Sequence, residues 1–434
     1  MWRKPFMALL LVCVFIVACP ASAAERIVWW HWNSGEAEEA FRAVVESFTR
    51  NTGIEVDAQA VDWGELKQKL LVGIAGGVAP DATAVTSTWF EELALQGAFE
   101  NLDPYIQRDS SAFWRDIFPS SLAVWQLENG AQYAVPFDND IPLLFYNKDL
   151  FNDVGIAYPT DSTHWDDWLT MATKNTRDLD GDGVKDYYGM TNWWFNWHML
   201  VWANNGTFFS PEKRSNLNAP AARQALEYWA EWFRPKRGLL CTWDELRHVG
   251  YDPAARQYPA HAWKGGRIAM APAGAWMPTH FVWDATGNQW SFSFGVAPLP
   301  LSYAGLRATT NEGQANAVLA NSNHKTAAFE FARWLADHEA QKTAALLNQF
   351  PVRRSVALQA NLFLSKEKWP ADRNTVIRAA EYARAFPKGV NWPVSSAEIN
   401  KLRDYFNGTL SLDAAIANVS NLLEAKLREL NILR

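Results

Sequence analysis

Cysteine is scarce in this chain of 434 residues: three in all, with Cys13 and Cys19 near the start and Cys241 alone in the body. Once the first residues are removed, no internal disulfide can form and no thiolate metal cluster can assemble. Stability must therefore come from a buried core. Positive charge is not in surplus either, because a net charge of −7 and a pI near 5.7 leave no basic footprint for nucleic acid. Beyond the N-terminus there is no apolar run long enough to span a bilayer, no internal repeat and no low-complexity linker. Also missing are a Gly-x-Ser-x-Gly elbow, a His-Glu-x-x-His pair and a phosphate-binding glycine loop, which removes the common signatures of hydrolases and nucleotide enzymes.

What is present begins with length, which exceeds one ordinary core and predicts two domains. Tryptophan is abundant at 24 residues, more than packing alone calls for, so some indoles are expected as flat platforms for ring-shaped ligands. The first 23 residues read as a signal peptide. Arg3 and Lys4 precede the apolar run Met7 to Ala18, and Ala21-Ser22-Ala23 makes a small-residue cleavage site, so the mature chain starts at Ala24 or Glu25. Ile16-Val17-Ala18-Cys19 also fits a lipobox, which would leave Cys19 lipidated as the first residue. Both readings export the protein to the periplasm or the outer face of the membrane.

Ile27-Val28-Trp29-Trp30 predicts a buried strand. Ser34 then caps a helix with Ala40, Phe41, Val44, Val45 and Phe48 on one face, ended by Gly53. A second strand alternates through Ile54, Val56 and Ala58. A helix over about Glu65 to Ala75 and a strand in Pro80 to Val85 follow, giving parallel β-α-β units of an α/β fold. Ligands of such sheets gather at the carboxyl ends of strands, which places Trp32, Asn33, Asp62, Trp63, Ser87, Thr88 and Trp89 on one rim.

The stretch from Tyr133 to Lys148 has two apolar, β-prone runs around Asp138-Asn139-Asp140, with Pro136 and Pro142 confining the backbone. That pattern suits a segment crossing between lobes and exposing polar groups at a cleft floor; the alternative is a plain surface turn. Further on, Asp178, Asp180, Asp182, Val184 and Asp186 occupy ligand positions of a calcium loop, with Gly183 at the sixth. Position twelve is Gly189 where a bidentate Glu belongs, so a structural calcium and a metal-free turn both remain open. No other cofactor is required. Trp193, Trp194 and Trp197 fall within five residues and cannot all face one core, so at least one should reach a cleft. Trp229 sits on a helical apolar stripe and reads as core. Glu312 precedes Gly313, where a ligand or backbone can approach closely, and Arg353 is a candidate donor to hydroxyls.

The succession of export signal, β-α-β-α-β, APDATAV, YAVPFDNDIPLLFYNKDLFNDVGI, DLDGDGVKDYYGM, WKGGRIAMAPAGAW, FGVAPLP and FPVRRS resembles the extracellular solute-binding proteins of ABC sugar importers, the family that includes maltose-binding protein. The resemblance covers the mature chain. It implies a two-lobed, type II-like periplasmic-binding-protein fold whose lobes are joined by crossing segments at a hinge. Carried onto this sequence, it puts crossings near Phe137 to Asp140, Thr309 to Gly313 and Pro351 to Ser355. The N-terminal lobe would be 24–137 with 312–351, and the C-terminal lobe 138–311 with 352–434. Trp276 and Trp392 resemble sugar-stacking tryptophans of the family. The implied partners are an oligosaccharide and the permease subunits of an ABC transporter, with the binding protein acting as a monomer.

Two other functions compete. A secreted glycoside hydrolase needs two carboxylates across a scissile bond, about 5–9.5 Å apart. Asp138 with Asp140, or Asp166 with Asp167, lie too close along the chain to flank one well. A binder of a polyol or glycerophosphodiester would need a cationic cradle, for which Arg353 and Arg354 are the candidates.

Overall fold

The computed structural model describes residues 25–32, 36–191, 197–233, 238–241, 249, 263–275, 277, 292–347, 349–359, 374–388, 402, 404–429 and 432. Within them the strands are β1 (Arg26–His31), β2 (Glu55–Ala60), β3 (Ala82–Thr86), β4 (Ala134–Pro136), β5 (Asp138–Asn139) and β6 (Leu143–Asn147). They continue as β7 (Tyr188–Thr191), β8 (Leu240–Cys241), β9 (Ile268–Ala273), β10 (Phe294–Ala297), β11 (Gln314–Val318) and β12 (Phe350–Pro351).

Two five-stranded sheets result, each the centre of a lobe. The first runs β2-β1-β3-β11-β4 and the second β10-β6-β9-β7-β8. β1 pairs in parallel with β2 and β3, in register from Arg26 opposite Glu55 to His31 opposite Ala60. That is the β-α-β arrangement the sequence predicts, closed by the helix Glu36–Thr52. Gly53, at φ 77°, ends this helix in the left-handed region that side chains disfavour. β11 returns antiparallel between β3 and β4, so a segment some 230 residues downstream completes the first sheet.

Helices cover both faces of the first sheet. Phe41, Val44 and Phe48 pack with Ala328, Phe331 and Leu335 of the helix Lys325–Leu335 on one side. Leu66, Leu70, Phe90 and Trp125 fill the other. In the second lobe Trp165, Trp168, Leu226 and Trp229 join Ile416, Val419 and Leu423 of the C-terminal helix Leu412–Glu429. The opposite face holds Phe145, Trp263, Val356 and Val376. Much of the tryptophan surplus is thus spent on packing: Trp125, Trp165, Trp168, Trp232 and Trp263 are among the largest fully buried side chains. No helix among the described residues is long and apolar enough to cross a membrane.

Between the sheets lies the two-stranded pair β5 and β12, with Phe350 opposite Asn139 and Pro351 opposite Asp138. Chain passing from β4 to β6, from β10 to β11 and onward from β12 makes the three links between lobes.

Candidate functional site

Asn139 is the point at which the three links meet. Its Oδ1 accepts from Asn311 Nδ2 at 2.6 Å and from the Ser121 hydroxyl, while its Nδ2 donates to the Pro351 carbonyl at 2.8 Å. Asp140 N donates to Asn311 Oδ1 at 3.3 Å, and Glu312 N donates back to the Asp140 carbonyl at 2.8 Å. Gln341 adds a second tie: its Nε2 donates to the Phe137 carbonyl and its Oε1 accepts from Val352 N, each at 2.8 Å. Buried amide groups with both functions engaged are costly to separate, so the floor is a rigid pivot. Gly313 shows how tight it is, since a Cβ there would lie 2.0 Å from the Asp138 carbonyl oxygen. The close approach expected at this glycine is to backbone.

Asp138 is 8% exposed, and its Oδ1 accepts from Gln314 N at 2.6 Å. Burial pushes its carboxyl from 3.8 up to about 7, against the lowering effect of that amide. Glu312 is also buried, its Oε1 accepting from the Thr310 hydroxyl at 2.8 Å. Ser87 donates to the Glu312 carbonyl at 2.7 Å and so ties the carboxyl end of β3 to the second link. Asp140 is half-buried beside them.

Arg353, expected to reach a ligand, is committed elsewhere. Its Nε donates to Asp116 Oδ2 at 2.9 Å, its Nη1 donates to the Ala336 carbonyl at 3.2 Å, and its guanidinium lies 4.6 Å from the centre of the Phe113 ring. Burial alone would raise the Asp116 carboxyl, but the hydroxyl and amide of Ser355 and the Arg353 charge hold it below the ordinary range. Arg354 pairs with Glu381 at 2.8 Å. Both cations anchor the third link.

On the rim, the parallel strands β1, β2 and β3 end together, bringing Trp32, Asp62, Trp63 and Ser87 to one side of the sheet. Trp63 is 55% exposed and opens the helix Trp63–Gly76, whose N-terminus Asp62 caps by accepting from Gly64 N at 2.9 Å. Its indole is an exposed platform among the described residues. Trp32 is half-buried against the first lobe's core. Trp89 and Trp197 belong to cores instead, at 7% and 1% exposure: Trp89 turns inward on the helix Ser87–Leu95, and Trp197 packs on Phe208. Asn33, Trp193, Trp194, Trp276 and Trp392 lie outside the described residues, as does the leader. Asp166 and Asp167 begin the helix Trp165–Asn175, where Asp167 accepts from His164 N at 2.9 Å in a capping box.

In the acidic loop, Asp178, Asp180 and Asp186 each bring a carboxylate oxygen within 4.8 Å of the others. All three are already in use. Asp178 accepts from Gly181 N and Gly183 N and faces Lys185 at 3.6 Å; Asp180 accepts from Asp182 N and Asp186 from Leu179 N. Asp182 turns to Val184 N at 2.7 Å, outside that cluster, and Gly189 opens no helix but lies within β7. A cation here would share these carboxylates with the loop's amides and would replace Lys185 as the charge facing Asp178.

The sequence offered no sign of Ser121, Asp116 or Gln341 as hinge residues, because their partners are remote in the chain. Asn311 was nearer to view, as it stands inside the second expected crossing.

Two α/β lobes joined by three links over a polar floor make the geometry of a closing receptor. The family model for bacterial extracellular solute-binding proteins matches residues 32–342. The chain belongs to that family. Members bind solutes outside the cell and are not enzymes. A candidate binding protein of Brucella abortus is 24% identical over 334 residues, covering 76% of this chain and 75% of that one. The erythritol/L-threitol-binding protein of Mycolicibacterium smegmatis is 23% identical over 354 residues, covering 74% and 69%. Among solved structures, the ABC substrate-binding protein of Listeria monocytogenes in complex with cycloalternan superposes with a TM-score of 0.75 at 22% identity, covering 94% of this chain and 100% of that one. The sugar-binding protein MalE of Xanthomonas citri gives 0.73 at 22%, covering 93% and 98%. These structural likenesses show the two-lobed fold.

Proposed function

We propose that this solute-binding protein captures an oligosaccharide outside the cytoplasmic membrane and delivers it, as a monomer, to the permease of an ABC importer. The observation that carries the reading is Trp63, an indole left 55% exposed at the carboxyl ends of the parallel strands. Sugar rings present C–H faces that pack on indole and hydroxyls that need planar donors and acceptors. The Listeria relative was solved with cycloalternan and the Xanthomonas relative is named for sugar binding, which supports a carbohydrate for this chain. Its export would follow from the leader, with the protein free in the periplasm or tethered through Cys19.

A second reading has support of its own, because relatives are named for erythritol/L-threitol and for sn-glycerol-3-phosphate. The polyol shares the hydroxyl chemistry of a sugar. A phosphate ester calls for free cations, and Arg353 and Arg354 are held by Asp116 and Glu381. Calorimetric titration with linear and cyclic maltodextrins, erythritol and glycerol-3-phosphate separates the readings. Heat from a maltodextrin supports the oligosaccharide; heat from glycerol-3-phosphate alone overturns it.

A further inference from the structure

Lys213 and Glu128 sit at the tips of two turns that grow from different lobes. Glu128 lies in the turn closed by the bridge between Gln126 and Gln132, next to Leu127 and Trp125 of the first lobe's core. Lys213 lies in the turn closed by Phe209 and Ser215, whose neighbours Phe208 and Leu217 belong to the second lobe's core. Their side chains form an ion pair while each remains partly exposed, at 39% and 45%. Lys213 also adopts φ 61°, a left-handed conformation unusual for a residue with a side chain. The turn itself sets that conformation, with Lys213 N donating to the Ser210 carbonyl and Ser210 N to the Arg214 carbonyl, and it projects the Lys213 side chain from the tip.

A second lysine approaches the same region. Lys388 follows the bridge between Thr310 and Arg384 at the second link, and Ala385 of the same segment packs on the first lobe's core. Its ammonium donates to the carbonyls of Ala123 and Val124 at 3.1 and 3.2 Å, at the carboxyl end of the helix Pro119–Val124. Burial lowers the Lys388 pKa, while Glu91 and Glu128 act in the opposite sense. Phe386, between these residues, lies 4.7 Å from the His198 ring of the second lobe.

We propose that Glu128 is the catch of an electrostatic latch, closed by Lys213, that biases the hinge towards shut. The latch deepens the reading of this protein as a receptor that closes on a solute. Lobes separating at the pivot would break the tip-to-tip contact, whereas each lobe's core would be untouched. An exposed pair contributes modestly and is screened by salt, so the bias is tunable by ionic strength.

The test is small-angle X-ray scattering of the ligand-free protein at low and at high sodium chloride. Wild type should expand in high salt, Lys213→Glu should be expanded in both, and Lys213→Glu with Glu128→Lys should return to wild-type behaviour. Lys213→Gly relieves the left-handed backbone, so it should expand without losing thermal stability. With a ligand in hand, Lys213→Glu should weaken affinity by about twofold to fivefold. Identical radii of gyration for all variants at both salt levels would overturn the latch. No sugar enters the scattering experiment, so a failed sugar titration beside intact salt-dependent expansion would count against the carbohydrate alone.

Discussion

Asn311 donates a 2.6 Å hydrogen bond to Asn139 across 172 residues of sequence, joining the second link between the lobes to the first. The same Asn139 reaches Pro351 in the third. This amide joins all three links, with Gln341 as a second tie between the first and the third.

Asn139→Ala should destabilise the whole chain. It removes a partner from the Pro351 carbonyl, the Asn311 amide and the Ser121 hydroxyl, and an unsatisfied buried group costs about 1–3 kcal/mol. Urea denaturation should show a loss of about 2–5 kcal/mol. A loss confined to ligand affinity, with the denaturation midpoint unchanged, would mean that Asn139 faces the solute instead.

Asp138 makes stability depend on pH in a stated window. Below about pH 4 its carboxyl is neutral both folded and unfolded; from there to about 7 the unfolded chain ionises while the folded one keeps its proton. The folded state then binds more protons, so this group's contribution to stability falls as pH rises through that interval and levels off above it. Asp138→Asn keeps an oxygen for Gln314 N and removes the titration. The melting temperature of the variant minus that of wild type should therefore grow between pH 4 and pH 7. A difference independent of pH would contradict the assignment.

Trp63 and Trp197 should separate binding from folding. Trp63→Ala removes an exposed ring, so affinity for an oligosaccharide should fall about threefold to tenfold with little change in melting temperature. Trp197→Ala empties a core site and should cost about 3–5 kcal/mol of stability. Equal stability losses in both variants would remove Trp63 from the ligand's path.

Chelation tests the acidic loop. Amides of Gly181, Gly183, Asp182 and Leu179, with Lys185, hold the turn without an ion, so removing calcium should leave the melting temperature unchanged. Asp178→Ala should lower it in either condition. A fall of several degrees on chelation alone would assign a structural cation to Asp178, Asp180 and Asp186.

Local patterns carried much of this architecture. The apolar face of Phe41, Val44 and Phe48, the stop at Gly53 and the strand at Ile27 are governed by neighbours three or four residues away, and the structure has them where the pattern does. Gly313 was legible as a close approach because only glycine tolerates one. Depth was not legible. Trp63, Trp89 and Trp197 are the same residue type in similar surroundings of sequence, yet one is exposed and two are core, since orientation about a helix is decided by distant packing. Arg353 illustrates the same limit for charge: its partner Asp116 lies 237 residues away.

The proposed receptor should take up a carbohydrate between its lobes and leave it unaltered. Isothermal titration with a panel of oligosaccharides, followed by chromatography of the recovered ligand, tests it most directly. The expected result is saturable heat at one site per chain with the sugar recovered intact. No heat from any sugar, or the appearance of new reducing ends in the recovered material, would contradict it.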